Sequence, residues 1–475
     1  MNRVVSFLAV FGLFWGHFSA FSQEFDLILQ NGRVMDPETG MDSIRNVGIR
    51  DGKIASISKS ELTGAQSIDA SGLVVAPGFI DLHQHAWDAD SIGFKIRDGV
   101  TTLLELEVGT DNVAKWYADR KAENLPLNHG VAIGHIKCRM RVLGDFPSFL
   151  PKSDSKAATV KATGEQIARI RAQIARGLDE GAVAVGFGLS YTPAASHDEV
   201  RELFRVAAEY DATCHVHIRD RRQNSPGATR EVIEYSAETG APLVIVHLQA
   251  SGASKTEEIL NMLVAARQNG TDVSAEVYPW TAGMTDIKSA IFADGWQKSF
   301  GLSYNDLQWG ETGERLTEET FRKYRETGGL VIVHSNPEST VTYALKHPET
   351  MIASDGLKGH PRNAGTFGRV LGFYVREKGE IDLMTALAKI SYRPAKRLEA
   401  RVPAMKKKGR VQVGADADLT LFDPKTVREK ATFTDAELLT IGIPHVLVAG
   451  QFVVRDGKIA EQDRSPGRAI RAPVK

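Results

Sequence analysis

The sequence is poor in cysteine and has almost no net charge. Only Cys138 and Cys214 occur among 475 residues, so a framework of disulfides cannot hold this fold together. The 58 basic and 59 acidic side chains leave a formal net charge of -1, which gives little attraction for nucleic acid or for an anionic membrane. We therefore expect neither of them as a partner, and we expect Cys214, within an apolar segment, to be buried.

Long hydrophobic runs are equally scarce. The run at the amino terminus, Val4 to Trp15, follows a basic residue and precedes the small-residue pattern from Ala20 to Ser22. It is short for a bilayer span, and the order of charge, apolar run and small residues is typical of a secretory signal peptide. The prediction is a signal peptide over residues 1–22 and a mature protein that is periplasmic or secreted, with no membrane attachment after cleavage.

Short β segments occur near both ends of the chain. Between residues 24 and 71, and again between residues 417 and 459, short apolar runs alternate with turn signals such as Asn-Gly and Asp-Gly. Neither set has enough strands for a stable core of its own. The pattern predicts one small β-sandwich domain, built from residues 23–72 and 403–475, beside a central unit of residues 73–402.

The central unit alternates apolar strands with helical patterns, which is typical of a parallel sheet. Eight strands separated by helices predict a (β/α)₈ TIM barrel. The predicted strands are Phe79–His83, Leu103–Glu107, Val131–His135, Val183–Phe187, Thr213–His217, Leu243–His247, Val273–Tyr278 and Met351–Asp355. Residues 282–329 interrupt the alternation and are predicted to form an inserted subdomain. The strand-like run Leu330–Val333 leaves the strand count open by one.

Residue types that bind metals recur where the predicted strands end. His83 and His85 are two positions apart, so on a strand they point to the same side. Imidazole and carboxylate groups are ligands for Zn²⁺, and the active sites of such barrels lie at the carboxyl ends of the strands. The strand-end residues are His83, His85, Glu107, His135, His217, His247, Tyr278 and Asp355. Their recurrence predicts a zinc centre of one or two ions at this face.

Five motifs carry a resemblance to known proteins. They are Pro77–His85, Gly99–Thr102, His217–Asp220, Tyr278–Gly283, and Ser354–Gly356 together with His360–Arg362. These motifs resemble those of the metal-dependent amidohydrolase superfamily and, more closely, those of the D-aminoacylases (N-acyl-D-amino-acid deacylases). The resemblance extends over essentially the whole chain after the predicted signal peptide. It implies zinc-dependent hydrolysis of the amide bond of an N-acyl-D-amino acid to a carboxylate and a free D-amino acid.

The resemblance also implies roles for individual residues. Asp355 would act as general acid and base and contact the metal. The implied ligands are His83 and His85 for one ion and His217 and His247 for the other, and the implied substrate-facing residues are Tyr191, Tyr278 and Arg362. Because a guanidinium binds carboxylates in a forked geometry, the expected partner is a small molecule that carries a carboxylate.

The chain departs from the family pattern at the bridging position. The family has a cysteine there, and the residue in register is Val108. Glu107, at the end of the second predicted strand, is the substitute bridging ligand that we expect, since each of its oxygens can bind one ion. Glu105 faces the same way and stays an alternative. Gln249 and the pair Met284-Thr285 also depart from the family, which leaves the choice of substrate open.

Other cations and histidines near the strand ends bear on the substrate. If Arg219 or Arg139 points inward, an acidic side chain, such as that of an N-acyl-D-glutamate, becomes the expected one. His215 lies deeper along its strand than His217 and is expected to be structural. His334 could reach the site only if the insert folds over it.

Three alternatives remain open from the sequence. A dipeptidase that cleaves L-Xaa-D-Xaa bonds would use the same residues. A cyclic-amide hydrolase of the dihydroorotase kind typically bridges its metals through a carboxylated lysine on strand four, and Val183–Phe187 contains no lysine. A binding protein on an inactive barrel would be expected to lose Asp355 or several histidines, and this chain retains them. The oligomeric state is not predicted.

Overall fold

The computed structural model describes residues 25–146, 148–461 and 465–475. The predicted signal peptide, residues 1–22, lies outside them. Within the described ranges, no helix is both long and apolar enough to span a bilayer. Cys214 is buried, as expected, and Cys138 is buried as well.

Eight parallel strands form the barrel, and each pairs with its neighbours in chain order. They are Phe79–Asp81, Val100–Thr110, Asn128–Gly134, Ala184–Gly188, Thr213–His217, Leu243–Ile245, Val273–Val277 and Thr350–Ile352. The ring is nearly closed between the first and the eighth strand, where the Gly356 N–H donates to the His83 carbonyl at 3.3 Å and the His85 N–H donates to the Gly356 carbonyl at 3.0 Å. The predicted (β/α)₈ fold is therefore confirmed.

The boundaries of most strands differ from the prediction by a few residues, and only Thr213–His217 matches it at both ends. The third barrel strand stops at Gly134, and His135 begins a helix instead of ending the strand. The strand-like run after residue 329 is Leu330–His334, which pairs antiparallel with Ala282–Asp286 and with Leu307–Trp309. This run therefore belongs to a three-stranded sheet of the insert, so the insert continues beyond residue 329 and the barrel keeps eight strands.

Helices cover the outside of the barrel and fill the connections of the insert. The α-helices are Ala89–Arg97, Val113–Glu123, His135–Leu143, Lys156–Thr159, Gly164–Asp179, His197–Glu209, Ser225–Thr239, Leu248–Gly252, Thr256–Gln268, Trp296–Phe300, Glu318–Thr327, Glu338–Lys346, Arg362–Arg369, Leu383–Leu387 and Arg393–Leu398. The π-helical segments are Val370–Glu377 and Ala388–Tyr392. The 3₁₀ turns are Arg222–Asn224, Ala253–Lys255, Ala290–Phe292, Tyr304–Asp306 and Pro403–Lys407.

Both ends of the chain contribute to one mixed sheet of nine strands. Its strands are Phe25–Asp36, Met41–Arg50, Lys53–Ser58, Gly64–Asp69 and Val74–Pro77 from the amino end, and Leu419–Phe422, His445–Val448, Gln451–Arg455 and Lys458–Ile459 from the carboxyl end. The two sets join where Val74–Pro77 pairs antiparallel with Leu419–Phe422. Val74–Pro77 leads through Gly78 directly into the first barrel strand, Phe79–Asp81. The composite sheet and the barrel are therefore connected without a linker.

The interior of the barrel beneath the strand ends is apolar. Its buried side chains include Ile80, Leu82, Leu104, Leu106, Val244 and Met351. A close-packed interior of this kind holds the strand ends in a defined geometry. The carboxyl-terminal tail lies at the opposite end of the barrel, where Ile470 packs into the same cluster and its N–H donates to the His129 carbonyl at 2.7 Å.

Candidate metal centre and substrate pocket

One carboxylate lies among four imidazoles at the carboxyl ends of the barrel strands. Oε2 of Glu107 is 2.9 Å from Nε2 of His83 and 3.2 Å from Nε2 of His85. Its other oxygen, Oε1, is 2.7 Å from Nδ1 of His217 and 3.4 Å from Nε2 of His247. Glu107 is therefore in position to connect two groups of ligands, one with each oxygen.

Asp355 completes the first of these groups. Its Oδ1 lies 3.5 Å from Nε2 of His83 and 3.3 Å from Nε2 of His85. Asp355 and His247 both have left-handed backbone conformations, with φ of 51° and 32°. Such conformations are costly for residues other than glycine and occur preferentially at functional sites. The two residues follow the eighth and the sixth strand, where the backbone turns the side chains towards the centre.

The donor atoms are arranged as a cation would require. Nε2 of His83 and Nε2 of His85 lie 3.0 Å apart, and Nδ1 of His217 and Nε2 of His247 lie 3.1 Å apart. Facing lone pairs at such distances repel each other unless a proton or a metal ion lies between them. The two possible ligand sets are His83, His85, Glu107 and Asp355, and Glu107, His217 and His247, with the ligand atoms of each set within 4.8 Å of one another. Imidazole nitrogens and carboxylate oxygens suit zinc, so these residues fit two zinc ions that share Glu107.

Two further carboxylates contact the Nδ1 atoms of the first two imidazoles, on the side opposite the Nε2 atoms that face Glu107. Glu276 contacts Nδ1 of His83, and Oε2 of Glu105 is 2.6 Å from Nδ1 of His85. Carboxylates in this position fix the orientation of a ligating histidine and increase its basicity. Oε1 of Glu105 also accepts the N–H of Val108 at 3.1 Å. Glu107 therefore belongs to both possible ligand sets, whereas Glu105 contacts the His85 imidazole on the side away from them.

Electrostatics act differently on the individual ligands. Burial lowers the pKa of the His83 and His85 imidazoles, but the neighbouring carboxylates, Glu276 for His83 and Glu105 for His85, raise it more, and the net pKa of both lies well above the usual value.

Burial raises the pKa of the Glu107 carboxyl, but the surrounding imidazoles of His83, His217 and His247 lower it more, and the net pKa lies well below its usual range. Burial lowers the pKa of His217 to about 3, and the charges of His247 and Arg221 contribute to the shift. At neutral pH the carboxylate is thus anionic and the His217 imidazole is neutral, as metal binding requires.

Arg362 lies behind Asp355 rather than on the pocket surface. Its Nη1 is 2.8 Å from Oδ2 of Asp355, and the guanidinium carbon lies 4.9 Å from the centre of the Tyr278 ring. Burial raises the pKa of the Asp355 carboxyl, but Arg362 and the neighbouring histidines lower it by more. The net pKa is therefore below its usual value. Arg362 therefore forms an ion pair with Asp355, which keeps this carboxylate ionised and oriented, instead of facing the substrate pocket as predicted.

The structure does not bring Arg219 to the pocket. Its guanidinium is 2.8 Å from Oε1 of Glu231 and donates to the Pro193 carbonyl at 3.0 Å. Glu231 belongs to the helix that follows the fifth strand, and this helix draws the side chain away from the barrel axis. Arg139 is also remote from the ligands, because it is buried in an ion pair with Glu199.

The remaining histidines lie outside both ligand sets. Nε2 of His135 contacts Glu199 at 2.8 Å in the barrel wall. His334 lies in the insert, with Nε2 2.8 Å from Oε1 of Gln308. His215 is buried below His217 on the fifth strand.

A pocket with two kinds of wall opens beside the donor atoms. Tyr191 and Tyr278 line it, and the hydroxyl of Tyr191 lies 3.1 Å from the Thr285 hydroxyl. Arg221 and Arg222, which follow the fifth strand, form a cationic part of the wall. The apolar part consists of Phe149, Leu150, Ile291, Phe292, Phe300 and Leu302. The pocket can therefore accept a molecule that has both an anionic and an apolar group.

Sequence reasoning did not find several of these contributors. Glu276 carried a usable signal, because it has inward parity on the seventh strand, two residues before Tyr278. Arg221 and Arg222 looked the same as Arg219 in the sequence. The apolar wall comes largely from the insert, whose segments are too short to show a periodic pattern.

The whole of this architecture has counterparts among known proteins. A sequence profile of the Amidohydrolase family matches residues 66–370 and 350–454. The chain belongs to the amidohydrolase family. This amidohydrolase is 29% identical to the D-aminoacylase of Alcaligenes xylosoxydans xylosoxydans, over 90% of this chain and 94% of that protein.

Two solved structures extend the comparison to three dimensions. One is an N-acyl-D-glutamate deacylase from Bordetella bronchiseptica, complexed with zinc and a phosphonate inhibitor that mimics the tetrahedral intermediate. It matches with a TM-score of 0.80 and 26% sequence identity, over 94% of this chain and 100% of the other. A structure concerned with the binuclear metal centre of D-aminoacylase matches with a TM-score of 0.82 and 27% identity, over the same shares. The predicted resemblance is thus confirmed: this is a D-aminoacylase-like amidohydrolase, and its buried histidines and carboxylates form two possible metal-ligand sets that share Glu107.

Proposed function

We propose that this amidohydrolase uses zinc to hydrolyse the amide bond of N-acyl-D-amino acids. The observation that carries the proposal is the position of Glu107, whose two oxygens face two pairs of imidazoles beside an ionised Asp355. The similarity to D-aminoacylases and to a zinc-bound N-acyl-D-glutamate deacylase supports the substrate class. The preference for the D-enantiomer rests on that similarity alone.

The residues of this chain divide the chemistry between them. Bound zinc would supply an activated water and polarise the substrate carbonyl. Asp355, kept anionic by Arg362, accepts a proton from the attacking water and returns it to the leaving nitrogen. Tyr191 stays a neutral hydrogen-bond donor, because burial raises its pKa above the usual value. The apolar wall excludes water from the reacting bond.

The test is hydrolysis of paired N-acetyl-D- and N-acetyl-L-amino acids, acidic and apolar, by zinc-loaded protein. We expect the wild-type protein to release free D-amino acid. For Asp355→Asn we expect kcat to fall by at least ~100-fold, since general acid and base catalysis contributes a factor of ~10²–10⁴ to the rate. Asp220→Asn is the matched control, because Asp220 is exposed and outside the pocket. Equal turnover of both enantiomers, or turnover of neither, would contradict the proposal.

A dipeptidase for L-Xaa-D-Xaa substrates uses the same chemistry and is the second candidate. Its substrate has a free ammonium group, which needs a carboxylate or another acceptor in the pocket. Among the described lining residues, Glu107 and Asp355 are the only acids, and both face the metal ligands. The pocket wall offers Arg221 and Arg222 instead, which favours an acylated nitrogen. Faster release of D-amino acid from L-Ala-D-Leu than from N-acetyl-D-leucine would reverse this choice.

A cyclic-amide hydrolase is a third candidate, and two observations count against it. The fourth barrel strand, Ala184–Gly188, has no lysine to bridge the metals. Glu107 of the second strand occupies the bridging position in its place. Dihydroorotate and hydantoins are therefore expected to be poor substrates, and their turnover would be measured in parallel with that of the linear amides.

We further propose that the protein is exported and that residues 1–22 are removed. The support is the order of a basic residue, a short apolar run and small residues in the sequence. Amino-terminal sequencing of the protein recovered from the periplasm or the medium of an expressing bacterium tests this. A protein retained in the cytoplasm with its first residues intact would contradict it.

A further inference from the structure

We propose that Arg221 and Arg222 form the subsite that binds a carboxylate of the substrate. The inference deepens the proposed function and rests on it. Arg221 and Arg222 lie four and five residues after His217, which ends the fifth barrel strand, and both line the pocket that contains the possible metal ligands. The chemistry that this pair recognises is an anion with two acceptor oxygens, which a guanidinium binds in a forked geometry.

In the described part of the chain, the side chains of Arg221 and Arg222 make no ion pair, whereas Arg219 is paired with Glu231 and Arg362 with Asp355. The carboxylate whose charge acts on Arg222 is that of Asp306, which is already hydrogen-bonded to Ser303. The pair thus keeps its charge available for a ligand.

The side chains of Arg221 and Arg222 carry like charges, belong to adjacent residues and are both partly buried. Burial lowers the pKa of the Arg222 guanidinium, and the positive charge of Arg221 lowers it further. Burying unpaired charge is unfavourable, so an arrangement of this kind is relieved by an anion that contacts both groups. Nε of Arg221 is also buried without a hydrogen-bond acceptor.

Arg221 makes one side-chain hydrogen-bond contact within the described part of the chain, in which its Nη2 lies 2.7 Å from Nε2 of His217. A guanidinium has five N–H donors. Donors of Arg221 therefore remain for a ligand that enters the pocket.

The apolar wall indicates what else the substrate carries. The guanidinium carbon of Arg221 lies 5.9 Å from the centre of the Phe300 ring, which belongs to the insert. Phe300 lines the pocket together with Ile291, Phe292 and Leu302. The substrate class is therefore an amphiphilic N-acyl-amino acid, with a carboxylate on Arg221 and Arg222 and an apolar group against the insert.

The test compares Arg222→Met with Arg230→Met. Arg222 does not contact a metal ligand, and Arg230 is an exposed arginine on the next helix that controls for the loss of one charge. For Arg222→Met we expect KM for N-acetyl-D-leucine to rise about ten-fold or more, as removal of a charge-assisted hydrogen bond predicts, with kcat and zinc content nearly unchanged. N-acetyl-D-leucinamide, which has no carboxylate, should show no such difference between the variants.

N-acetyl-D-glutamate distinguishes the two sources of the carboxylate. A rise in KM for both N-acetyl-D-leucine and N-acetyl-D-glutamate assigns the α-carboxylate to the subsite. A rise for N-acetyl-D-glutamate alone assigns the side-chain carboxylate. Unchanged KM values for both compounds in Arg222→Met, at normal zinc content, would overturn the subsite.

Calorimetric binding separates failure of the subsite from failure of the proposed function. N-acetyl-D-leucine is titrated into zinc-loaded Asp355→Asn and into the same protein with Arg222→Met added. Weaker binding in the double variant supports the subsite even if the unchanged chain turns over no N-acyl-D-amino acid. Turnover that does not depend on Arg222 overturns the subsite alone, and absence of both binding and turnover overturns both proposals.

Discussion

Glu105 and Glu107 show how two identical side chains on one strand acquire different roles. They have the same parity on the second barrel strand, yet Glu107 reaches the imidazoles of His83 and His217, while Glu105 stops at Nδ1 of His85. The register of the second strand against the third shifts after Glu105, and the N–H of Val108 donates to the Glu105 carboxylate. Because of this irregularity, the Glu107 carboxylate lies between the two ligand pairs, and the Glu105 carboxylate lies beside His85 only.

At this scale we predict that Glu107→Gln and Glu105→Gln have different effects on zinc. Glu107→Gln removes the charge that two ligand sets share, so we expect the zinc content of the purified protein to fall by at least one ion per chain. Glu105→Gln leaves the ligands in place and should weaken zinc affinity ~10–100-fold through His85. Metal analysis and competition with a chelator measure both. Equal stoichiometric loss in the two variants would show that Glu105 is itself a ligand.

The insert supplies most of the apolar wall of the pocket beside the possible metal ligands. It has its own small sheet and its own aromatic cluster, in which the Phe321 ring lies 5.4 Å from that of Trp296 and 5.8 Å from that of Phe292. Phe292 also lines the pocket, and Phe300 ends the helix that Trp296 begins. Packing within the insert therefore sets the position of the apolar wall, at a distance from the zinc ligands.

We predict that Phe321→Ala disturbs substrate binding without disturbing the metals. Loss of a buried aromatic ring typically costs ~3–5 kcal/mol, here within the insert, so the apolar wall should become less ordered. KM for N-acetyl-D-leucine is expected to rise more than KM for N-acetyl-D-alanine, with zinc content unchanged. Steady-state kinetics with Tyr343→Ala, a partly exposed aromatic outside the pocket, provides the control. A parallel loss of zinc would show that the insert supports the ligands as well.

The whole molecule is held together by both chain ends. The strands of residues 25–77 and 419–459 form a single sheet, and the tail returns to the base of the barrel. There the Tyr117 hydroxyl donates to the Ile470 carbonyl at 2.6 Å, and Ile470 and Ala472 are buried. These contacts lie at the amino ends of the barrel strands, on the side opposite the metal ligands.

We predict that the tail contributes stability but not chemistry. Ile470→Ala should lower the free energy of unfolding by ~2–5 kcal/mol, the usual cost of truncating a buried isoleucine, and deletion of residues 466–475 should cost more. Thermal unfolding measures the change, and Val474→Ala is the control because Val474 is exposed. The zinc content and kcat of Ile470→Ala at a temperature well below its transition should match those of the unchanged chain, and a large fall in kcat there would contradict the assignment.

The side chains after the fifth strand mark the limit of sequence reasoning. Arg219, Arg221 and Arg222 are equally cationic, and all three lie within five residues of His217 in the chain. The structure separates them, because Arg219 forms an ion pair with Glu231, whereas Arg221 and Arg222 form none with the residues that the structure describes. Which way a long flexible side chain points depends on partners that a neighbouring helix supplies, and no local pattern contains that information.

The eight barrel strands, their order and the composite sheet of the two chain ends were predictable from the sequence, whereas most strand ends were predicted only to within a few residues. Strand periodicity, turn residues and the placement of His83, His85 and Asp355 after apolar runs are local properties, so they can be recognised without the fold. Three features became visible only in the folded chain: Glu107 faces both ligand pairs, Glu276 contacts His83, and the insert forms most of the apolar pocket wall. Each of these depends on contacts between residues far apart in the chain, which form only when the barrel closes.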